Sequence, residues 1–277
     1  MSTLAVAGKD LSESLRTYTL LGLTAAFVFV GGGLAAIHWI PVMYRESAVS
    51  SDTLALLNSM RQPTVLFVPL IGLALGTRSI AGERERGTIR LLLGLPISRG
   101  SVVLGKFLGR TAVVGIATLV GFGVAGGIAL ATYGSFDVTV FAVYTAMTVL
   151  YGAVFVAVGI GFSAGLPTRA RAIAGAASLY ALFLIGWDLL LTILVALTGR
   201  SMTEGAVPAW IQLFGWLNPS WAFTYASRSV VPEYEAVTRR PIAGAAGLED
   251  WVGFPILAAW IAVPLLVGSL RFRTADV

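Results

Sequence analysis

The sequence predicts an all-α polytopic membrane protein with six transmembrane helices. Hydrophobic residues make up 57% of the 277 residues, only 12% are charged, and the mean hydropathy is +0.85. A water-soluble domain has roughly 45–50% apolar and about 25% charged residues, so this chain has too little polar surface for a soluble protein. Apolar runs near the length of a helical span, about 20 residues, recur along the chain.

The whole chain, residues 1–277, is expected to form a single transmembrane domain, and residues 1–18 lead into its first span. Charged residues of both signs and the long apolar run that follows are not typical of a cleaved secretory signal. The pattern predicts an amphipathic helix on the cytoplasmic membrane surface, with a frayed polar tail as the alternative. Its apolar residues, which recur at helical spacing, are Leu4, Ala7, Leu11, Leu15 and Tyr18.

Six apolar runs are predicted to cross the bilayer. The second is the least regular because it contains Pro69, and the third and fourth form a hairpin around a tight turn at Tyr133–Asp137. The predicted spans are Thr19–Ile40, Thr64–Ala81, Thr111–Thr132, Val138–Ala164, Ile173–Leu197 and Trp251–Leu270.

The basic residues predict the orientation. If both termini are cytoplasmic, thirteen of the 19 basic residues lie inside and six outside, and loops rich in Lys and Arg stay in the cytoplasm. Their position in short loops between apolar runs fits a plasma-membrane surface and not a nucleic-acid groove. The inner set is Lys9, Arg16, Arg78, Arg84, Arg86, Arg90, Arg99, Lys106, Arg110, Arg169, Arg171, Arg271 and Arg273. The outer set is Arg45, Arg61, Arg200, Arg228, Arg239 and Arg240.

Residues 199–250 are too polar to span and are expected to lie on the outer side between spans five and six. Asn218 followed by Pro219 is typical of the start of a helix, here Pro219–Val230. These short helices either shape an exit gate or only cap the bundle. A preceding short helix is indicated by the apolar stripe Trp210, Leu213, Phe214 and Leu217.

Glycine pairs at four-residue spacing predict close helix packing in the bilayer. The pairs are Gly72/Gly76, Gly105/Gly109, Gly123/Gly127 and Gly161/Gly165.

The composition excludes several kinds of chemistry. There is no cysteine, so the chain has no thiolate metal site and no thiol nucleophile. The single histidine, His38, is expected at the outer interface and cannot form a two-histidine metal motif. An intramembrane hydrolase would need paired catalytic groups within the spans, and the sequence shows none. We therefore expect no enzyme and no cofactor or metal site in this chain.

The most unusual segment is Glu83–Arg99, between spans two and three. Charges of alternating sign lead into an apolar stripe at Ile89, Leu92 and Leu93, and Pro96 ends this short helix. An amphipathic helix at this position needs cover for its apolar face, from the membrane surface or from a soluble partner.

The residues of this segment resemble a family hallmark. Gly-Glu-Arg-Glu-Arg-Gly-Thr-Ile-Arg-Leu-Leu-Leu-Gly-Leu-Pro-Ile-Ser-Arg, followed by Leu104-Gly105-Lys106, is similar to the coupling segment of ABC transporter permeases of the type-2 exporter family. Within that family it is similar to the permeases of nitrous-oxide-reductase maturation, which work beside a periplasmic protein.

The resemblance implies a transmembrane exporter subunit with several partners. These are two copies of an ATP-binding-cassette ATPase subunit that hold the ATP and magnesium, a second permease copy in a homodimer, the lipid bilayer, and an extracytoplasmic accessory protein. The residues that the resemblance assigns to the ATPase contact are Glu83, Glu85, Gly87, Thr88, Ile89, Leu92, Leu93, Pro96 and Arg99.

One motif imitates a nucleotide site. Residues 100–106 fit the start of a phosphate-binding loop, but Phe107 stands where a Ser or Thr should hold magnesium, and no strand precedes it. We expect Lys106 to snorkel at the cytoplasmic start of span three and ATP to bind elsewhere.

Asp188 is the only acid deep in a predicted span, and such a carboxylate is a functional candidate. Tyr180, Asp188 and Thr192 share one helix face that could line a transport pathway; a structural or interfacial role for Asp188 is the alternative.

Lipid, peptide, drug and sulfur compounds all fit as substrates. An ion-coupled carrier or channel, and a membrane scaffold that remodels a partner, are the alternative functions.

Overall fold

The computed structural model describes residues 2–37, 52–94, 96–198, 208–238 and 249–274, and this part of the chain is helical with no strand. A π-helical turn, Leu182–Gly186, joins α8 to α9, and short 3₁₀ turns lie at Pro232–Val237 and Asp250–Val252. The α-helices are α1 Thr3–Arg16, α2 Thr19–Ile37, α3 Thr53–Thr77, α4 Ala81–Glu85, α5 Thr88–Leu93, α6 Arg99–Thr132, α7 Val138–Gly165, α8 Arg169–Ala181, α9 Trp187–Leu197, α10 Ala209–Trp216, α11 Pro219–Val230 and α12 Gly253–Thr274.

Among the residues that the structure describes, six helical stretches are long and apolar enough to cross a membrane, which confirms the predicted fold class. The chain is therefore a multi-pass membrane protein. The stretches are Thr19–Ile37, Thr53–Glu85, Arg99–Thr132, Val138–Gly165, Arg169–Leu197 and Asp250–Thr274.

Two spans begin earlier than the sequence predicts. α3 starts at Thr53, where the Asp52 side chain accepts a hydrogen bond from the Ala55 N–H at 2.8 Å. α6 starts at Arg99, capped by Ser98. Hydropathy places both starts too late because it counts charged residues as loop, although these residues continue the helices.

The centre of the bundle is α7, which packs against α3 on one side and α12 on another. Both contacts depend on glycine. A β-carbon added to Gly76 would lie 2.7 Å from the Val156 carbonyl oxygen and 2.8 Å from the Gly159 α-carbon. On the other side, a β-carbon added to Gly161 would lie 2.6 Å from the Pro264 carbonyl oxygen. By contrast, the pair Gly123/Gly127 faces open space.

Both described ends of the chain lie at one end of the bundle. α1 packs along the first half of α6, and Arg99, the first residue of α6, donates a hydrogen bond to the Phe272 carbonyl near the end of α12 at 2.6 Å. We call this the basic end, because the thirteen basic residues predicted to be cytoplasmic belong to the segments that meet there.

At the opposite end, α10 and α11 form part of the bundle wall. α11 has the bounds predicted from the sequence and buries Phe223, whose ring centroid lies 4.7 Å from that of Tyr151 in α7. Buried Arg228 pairs with Glu235 and, at 3.1 Å, with Asp250, so the end of α11 is joined to the start of the last span. The predicted stripe on α10 faces outward, with Trp210, Leu213 and Leu217 exposed.

We predict that Gly76→Ala lowers the midpoint of thermal unfolding of the purified chain in detergent. The added methyl group overlaps the backbone of α7, and such overpacking costs about 1–3 kcal/mol. Gly123→Ala is the matched control in α6. Its methyl group enters open space and favours the helix by up to about 1 kcal/mol, so its midpoint should be unchanged or slightly raised. Equal midpoints for the two variants would contradict the tight α3–α7 contact.

Candidate functional site

The segment Glu83–Arg99 lies at the basic end and is anchored to the spans at several points. At its start, the Ser163 hydroxyl of α7 accepts hydrogen bonds from the backbone N–H groups of Ile80 and Ala81, at 3.1 and 2.8 Å. The same hydroxyl donates to the Thr77 carbonyl at 2.9 Å. One buried side chain therefore fixes the corner at which α3 turns into α4.

Two side chains of α4 join it to the connection between α7 and α8. The Arg84 guanidinium donates to the Leu166 carbonyl at 2.8 Å, where the last carbonyls of α7 have no partner within their own helix. The Glu85 carboxylate accepts from the Arg169 N–H at 2.8 Å, at the first residue of α8. α4 is therefore held by both ends of this connection.

The strongest anchor is a buried charge cluster that we call the Lys106 cluster, made of Asp10, Glu83, Lys106 and Arg110. Lys106 lies in α6 and is only 3% exposed. Its ammonium group pairs with the Glu83 carboxylate of α4 and with the Asp10 carboxylate of α1, the second at 3.1 Å. Arg110, one turn further along α6, pairs with Asp10 at 2.8 Å. Two acids and two bases balance, so the cluster is neutral.

The cluster changes two of the predictions. The prediction that Lys106 snorkels is wrong, because its side chain is buried between two carboxylates. Glu83 is predicted to contact the partner, but its carboxylate is buried within this chain. No sequence pattern predicts Asp10 as the third member, because it lies on the charged side of the predicted interfacial helix.

α1 reaches the cluster because two glycines leave room for it. β-carbons added to Gly105 and Gly109 would lie 2.6 Å from the Val6 β-carbon and 2.9 Å from the Ala7 carbonyl oxygen. The face that α1 buries contains Val6, Asp10 and Ser14. The apolar residues Leu4 and Leu15 of α1, and Tyr18 in the turn after it, are exposed, as expected for a helix that contacts lipid.

Gly87 separates α4 from α5 in a left-handed conformation, with a φ of +72°. This backbone geometry strains residues with a β-carbon. The turn directs Ile89 of α5 inward, where it packs in one core cluster with Ile80, Val102 and Val103. Ile89 is predicted to contact a partner; in the structure its side chain is 1% exposed and covered by this chain.

The free surface of the segment is formed by other residues. Leu91, which the helical stripe does not include, is 78% exposed. The side chains of Leu92 and Leu93 and all of Leu95 lie outside the described residues. The sequence missed Leu91 because a stripe does not reveal which side of a short helix the protein itself covers. The exposed residues are Glu85, Arg86, Gly87, Thr88, Arg90, Leu91, Gly94, Pro96 and Ser98.

Arg99 ends the segment and fixes it to the last span. Besides its bond to the Phe272 carbonyl, its guanidinium lies 5.4 Å from the centre of the Phe272 ring, and that of Arg84 lies 5.6 Å from the same ring. Both distances are in the range of cation–π interactions. The two ends of the segment therefore meet at one aromatic side chain of α12.

The predicted pathway residues Tyr180, Asp188 and Thr192 line one cavity of about 510 Å³ in the opposite half of the bundle. α3 contributes Arg61 to the same cavity, and α11 contributes Ser220 and Thr224. We call this space the polar cavity. Arg61 is predicted to lie in an outer loop, but it belongs to α3, which begins eight residues earlier.

A π-helical turn, Leu182–Gly186, ends two residues before Asp188. In the turn Leu182–Gly186 the Phe183 carbonyl accepts a hydrogen bond from the Asn218 side-chain amide at 2.9 Å. The same Asn218 caps α11 by accepting from the Ser220 N–H, also at 2.9 Å. Isolated π turns occur mostly inside α-helices and frequently at functional sites. Here one buried amide joins span five to α11 beside the polar cavity.

The described part of the chain shows neither a metal cluster nor a phosphate-binding loop. Within the described ranges no cluster of three or more Cys, His, Asp or Glu side chains could hold a metal ion. His38 lies outside these ranges. Residues 100–106 are part of α6, so they do not form the open loop that surrounds a phosphate group.

Comparison with known proteins finds relatives along almost the whole chain. The family model described as ABC-2 family transporter protein matches residues 4–277. A probable ABC transporter permease protein NosY from Pseudomonas aeruginosa is 28% identical over 272 residues, covering 97% of this chain and 96% of the relative. A protein of the same description from Stutzerimonas stutzeri is 29% identical over 279 residues with equal coverage. These matches confirm the resemblance seen in Glu83–Arg99.

We predict that Lys106→Met destabilises the protein by about 3–5 kcal/mol, the usual cost of leaving one side of a buried ion pair without its partner. α1 should also detach, which limited proteolysis at the N-terminus would detect together with a lower unfolding midpoint. Lys9→Met is the control, because Lys9 forms only an exposed pair with Glu13 at 3.6 Å, worth about 0–1 kcal/mol. A Lys106→Met variant as stable and protease-resistant as the control would contradict the role of the cluster.

Proposed function

Because the chain belongs to the ABC-2 transporter family, we propose that it is the transmembrane permease subunit of an ATP-binding-cassette exporter. Two copies of the chain form the pathway, and two ATPase subunits drive it from the cytoplasm. ATP and magnesium bind to those subunits. An extracytoplasmic accessory protein receives or prepares the substrate at the opposite end.

One observation supports this proposal most directly: the segment Glu83–Arg99 has a free outer surface and an inner surface attached to many helices. Glu83 is joined to α6 and, through Lys106, to α1; Arg84 is joined to the end of α7, and Arg99 to the end of α12. A force applied to the outer surface therefore reaches four helices through short polar contacts. This is the property that a coupling element needs.

The outer surface also has the composition of a docking site. Leu91 is apolar and 78% exposed, and the charged residues Glu85, Arg86 and Arg90, which precede it in sequence, are exposed as well. Protein interfaces commonly have an apolar centre within a polar rim. We infer that Leu91 enters a pocket of the ATPase subunit, with Thr88 and Pro96 beside it.

The proposed orientation follows from the charges at the basic end. Positively charged loops remain on the cytoplasmic side of a membrane, and the basic end collects both termini, Glu83–Arg99 and the connection at Arg169 and Arg171. An ATPase in the cytoplasm would meet the basic end directly. The outward direction of transport is proposed from the resemblance to type-2 exporters.

We predict that Leu91→Ala weakens the complex with the ATPase subunit at least ten-fold, because a leucine buried at a contact contributes about 2–5 kcal/mol. Affinity would be measured by titrating the purified ATPase subunit onto the chain in nanodiscs. Leu4→Ala is the matched control: Leu4 is similarly exposed, at 73%, but lies on the lipid-facing side of α1. Unchanged affinity for Leu91→Ala, or an equal loss in both variants, would contradict docking through α5.

A further inference from the structure

The polar cavity contains one positive and one negative side chain at similar depth. Arg61 lies eight residues from the start of α3, and Asp188 lies nine residues from the end of α9. At a rise of about 1.5 Å per residue, each residue lies about 12–14 Å along its own helix from that helix end. Both charges therefore belong to the membrane-spanning stretches Thr53–Glu85 and Arg169–Leu197. Placing an ionised group within a span costs free energy, and such groups usually serve a function.

The two charges do not neutralise each other. Among the described residues neither Arg61 nor Asp188 forms an ion pair, and the buried Arg61 Nε has no hydrogen-bond partner. This differs from the Lys106 cluster, where every charge is paired within the chain. Each of these two charges therefore needs a group of opposite charge. That group is either part of a ligand that carries both signs or, after a rearrangement, the other residue of the pair.

The rest of the cavity wall suits an organic ion. Tyr180 and Trp221 present aromatic rings, and aromatic faces near a carboxylate bind ammonium groups, including quaternary ones. The Thr224 hydroxyl, which donates to the Ser220 carbonyl, and the Ser220 hydroxyl, which is bonded to the Tyr151 hydroxyl, lie on the same wall, and their oxygens have lone pairs left to accept from a ligand. A volume of about 510 Å³ is in the range of small-molecule sites.

We propose that the polar cavity is a substrate site for a zwitterion. Asp188 and the aromatic rings bind its ammonium group, and the Arg61 guanidinium binds its phosphate or carboxylate group, to which arginine can donate two parallel hydrogen bonds. Asp188 and Thr192 are exposed in the single chain, so the cavity can be reached from the bundle surface. The ligand is either a small solute or the head group of a membrane lipid, which share this chemistry.

The inference rests on the proposed function and is tested with the complete complex of the chain and its ATPase subunit, in nanodiscs of phosphatidylglycerol. Equilibrium dialysis measures binding of radiolabelled glycerophosphocholine, a soluble zwitterion, and its competition by choline or glycerol phosphate. We expect saturable binding, and each single-charge competitor should be at least ten-fold weaker than unlabelled glycerophosphocholine. Choline or glycerol phosphate competing as well as the zwitterion, or no saturable binding, would overturn the proposal.

Substitutions locate the site. Arg61→Gln and Asp188→Asn should each weaken binding at least ten-fold, because each removes a charge-assisted contact. Arg61→Lys keeps the charge and should retain more of the binding than Arg61→Gln. Glu233→Gln, which removes an exposed charge outside the cavity, is the control. Binding that survives in both neutral variants, with the complex intact on size-exclusion chromatography, would place the ligand elsewhere and overturn the proposal.

A second arm identifies the source of the ligand. If the zwitterion is a lipid head group, phosphatidylcholine in the nanodisc should displace glycerophosphocholine and remain bound on native mass spectrometry; if it is a solute, the lipid should not compete. Retention of the ATPase subunit is scored in the same samples. A complex that assembles and hydrolyses ATP but binds no zwitterion refutes this inference alone, whereas failure to assemble refutes the proposed function.

Discussion

The ammonium group of Lys106 is shared between carboxylates that are 23 and 96 residues away in the sequence. In a membrane protein a single buried charge would strongly oppose folding, so the positions of α1, α4 and α6 depend on one another. None of the three can move far alone without leaving a buried charge unpaired. This constraint turns a short exposed segment at the basic end into part of the rigid structure, and the proposed mechanism depends on it.

The two halves of the bundle use charge differently. At the basic end the Lys106 cluster is neutral and closed, and glycines at 105 and 109 bring α1 close enough to complete it. In the opposite half, Arg61 and Asp188 line an open cavity whose shape is fixed by the π-helical turn and by Asn218. Paired charges thus hold the helices together at the proposed docking segment, and unpaired charges line the proposed substrate site.

Hydropathy and local motifs predicted the number of spans, the start of α11 at Pro219 after Asn218, and a short helix within Glu83–Arg99. They failed where a contact joins residues distant in sequence. A lysine among apolar residues is expected to extend its ammonium group to water. Lys106 does not, because its ammonium group pairs with the carboxylates of Asp10 and Glu83. Arg61 is a different kind of miss: hydropathy counts a charged residue as loop, although Arg61 continues α3. Periodicity identified α5 as amphipathic, but it could not show that Ile89 would face the protein and Leu91 the outside, since that depends on the turn at Gly87.

The rigid connection between α5 and α1 can be measured directly, because the chain has no native cysteine. Spin labels at Arg90→Cys and Lys9→Cys report the distance between the two helices, and labels at Arg90→Cys and Leu189→Cys report α5 relative to α9. Labelled chain is diluted with unlabelled chain in the ATPase complex. Both spin labels of a measured pair then lie in the same copy of the chain. Between the nucleotide-free and ATP-trapped states, the α5–α1 distance should stay constant while the α5–α9 distance changes. A change in the α5–α1 distance would show that the Lys106 cluster does not transmit the motion.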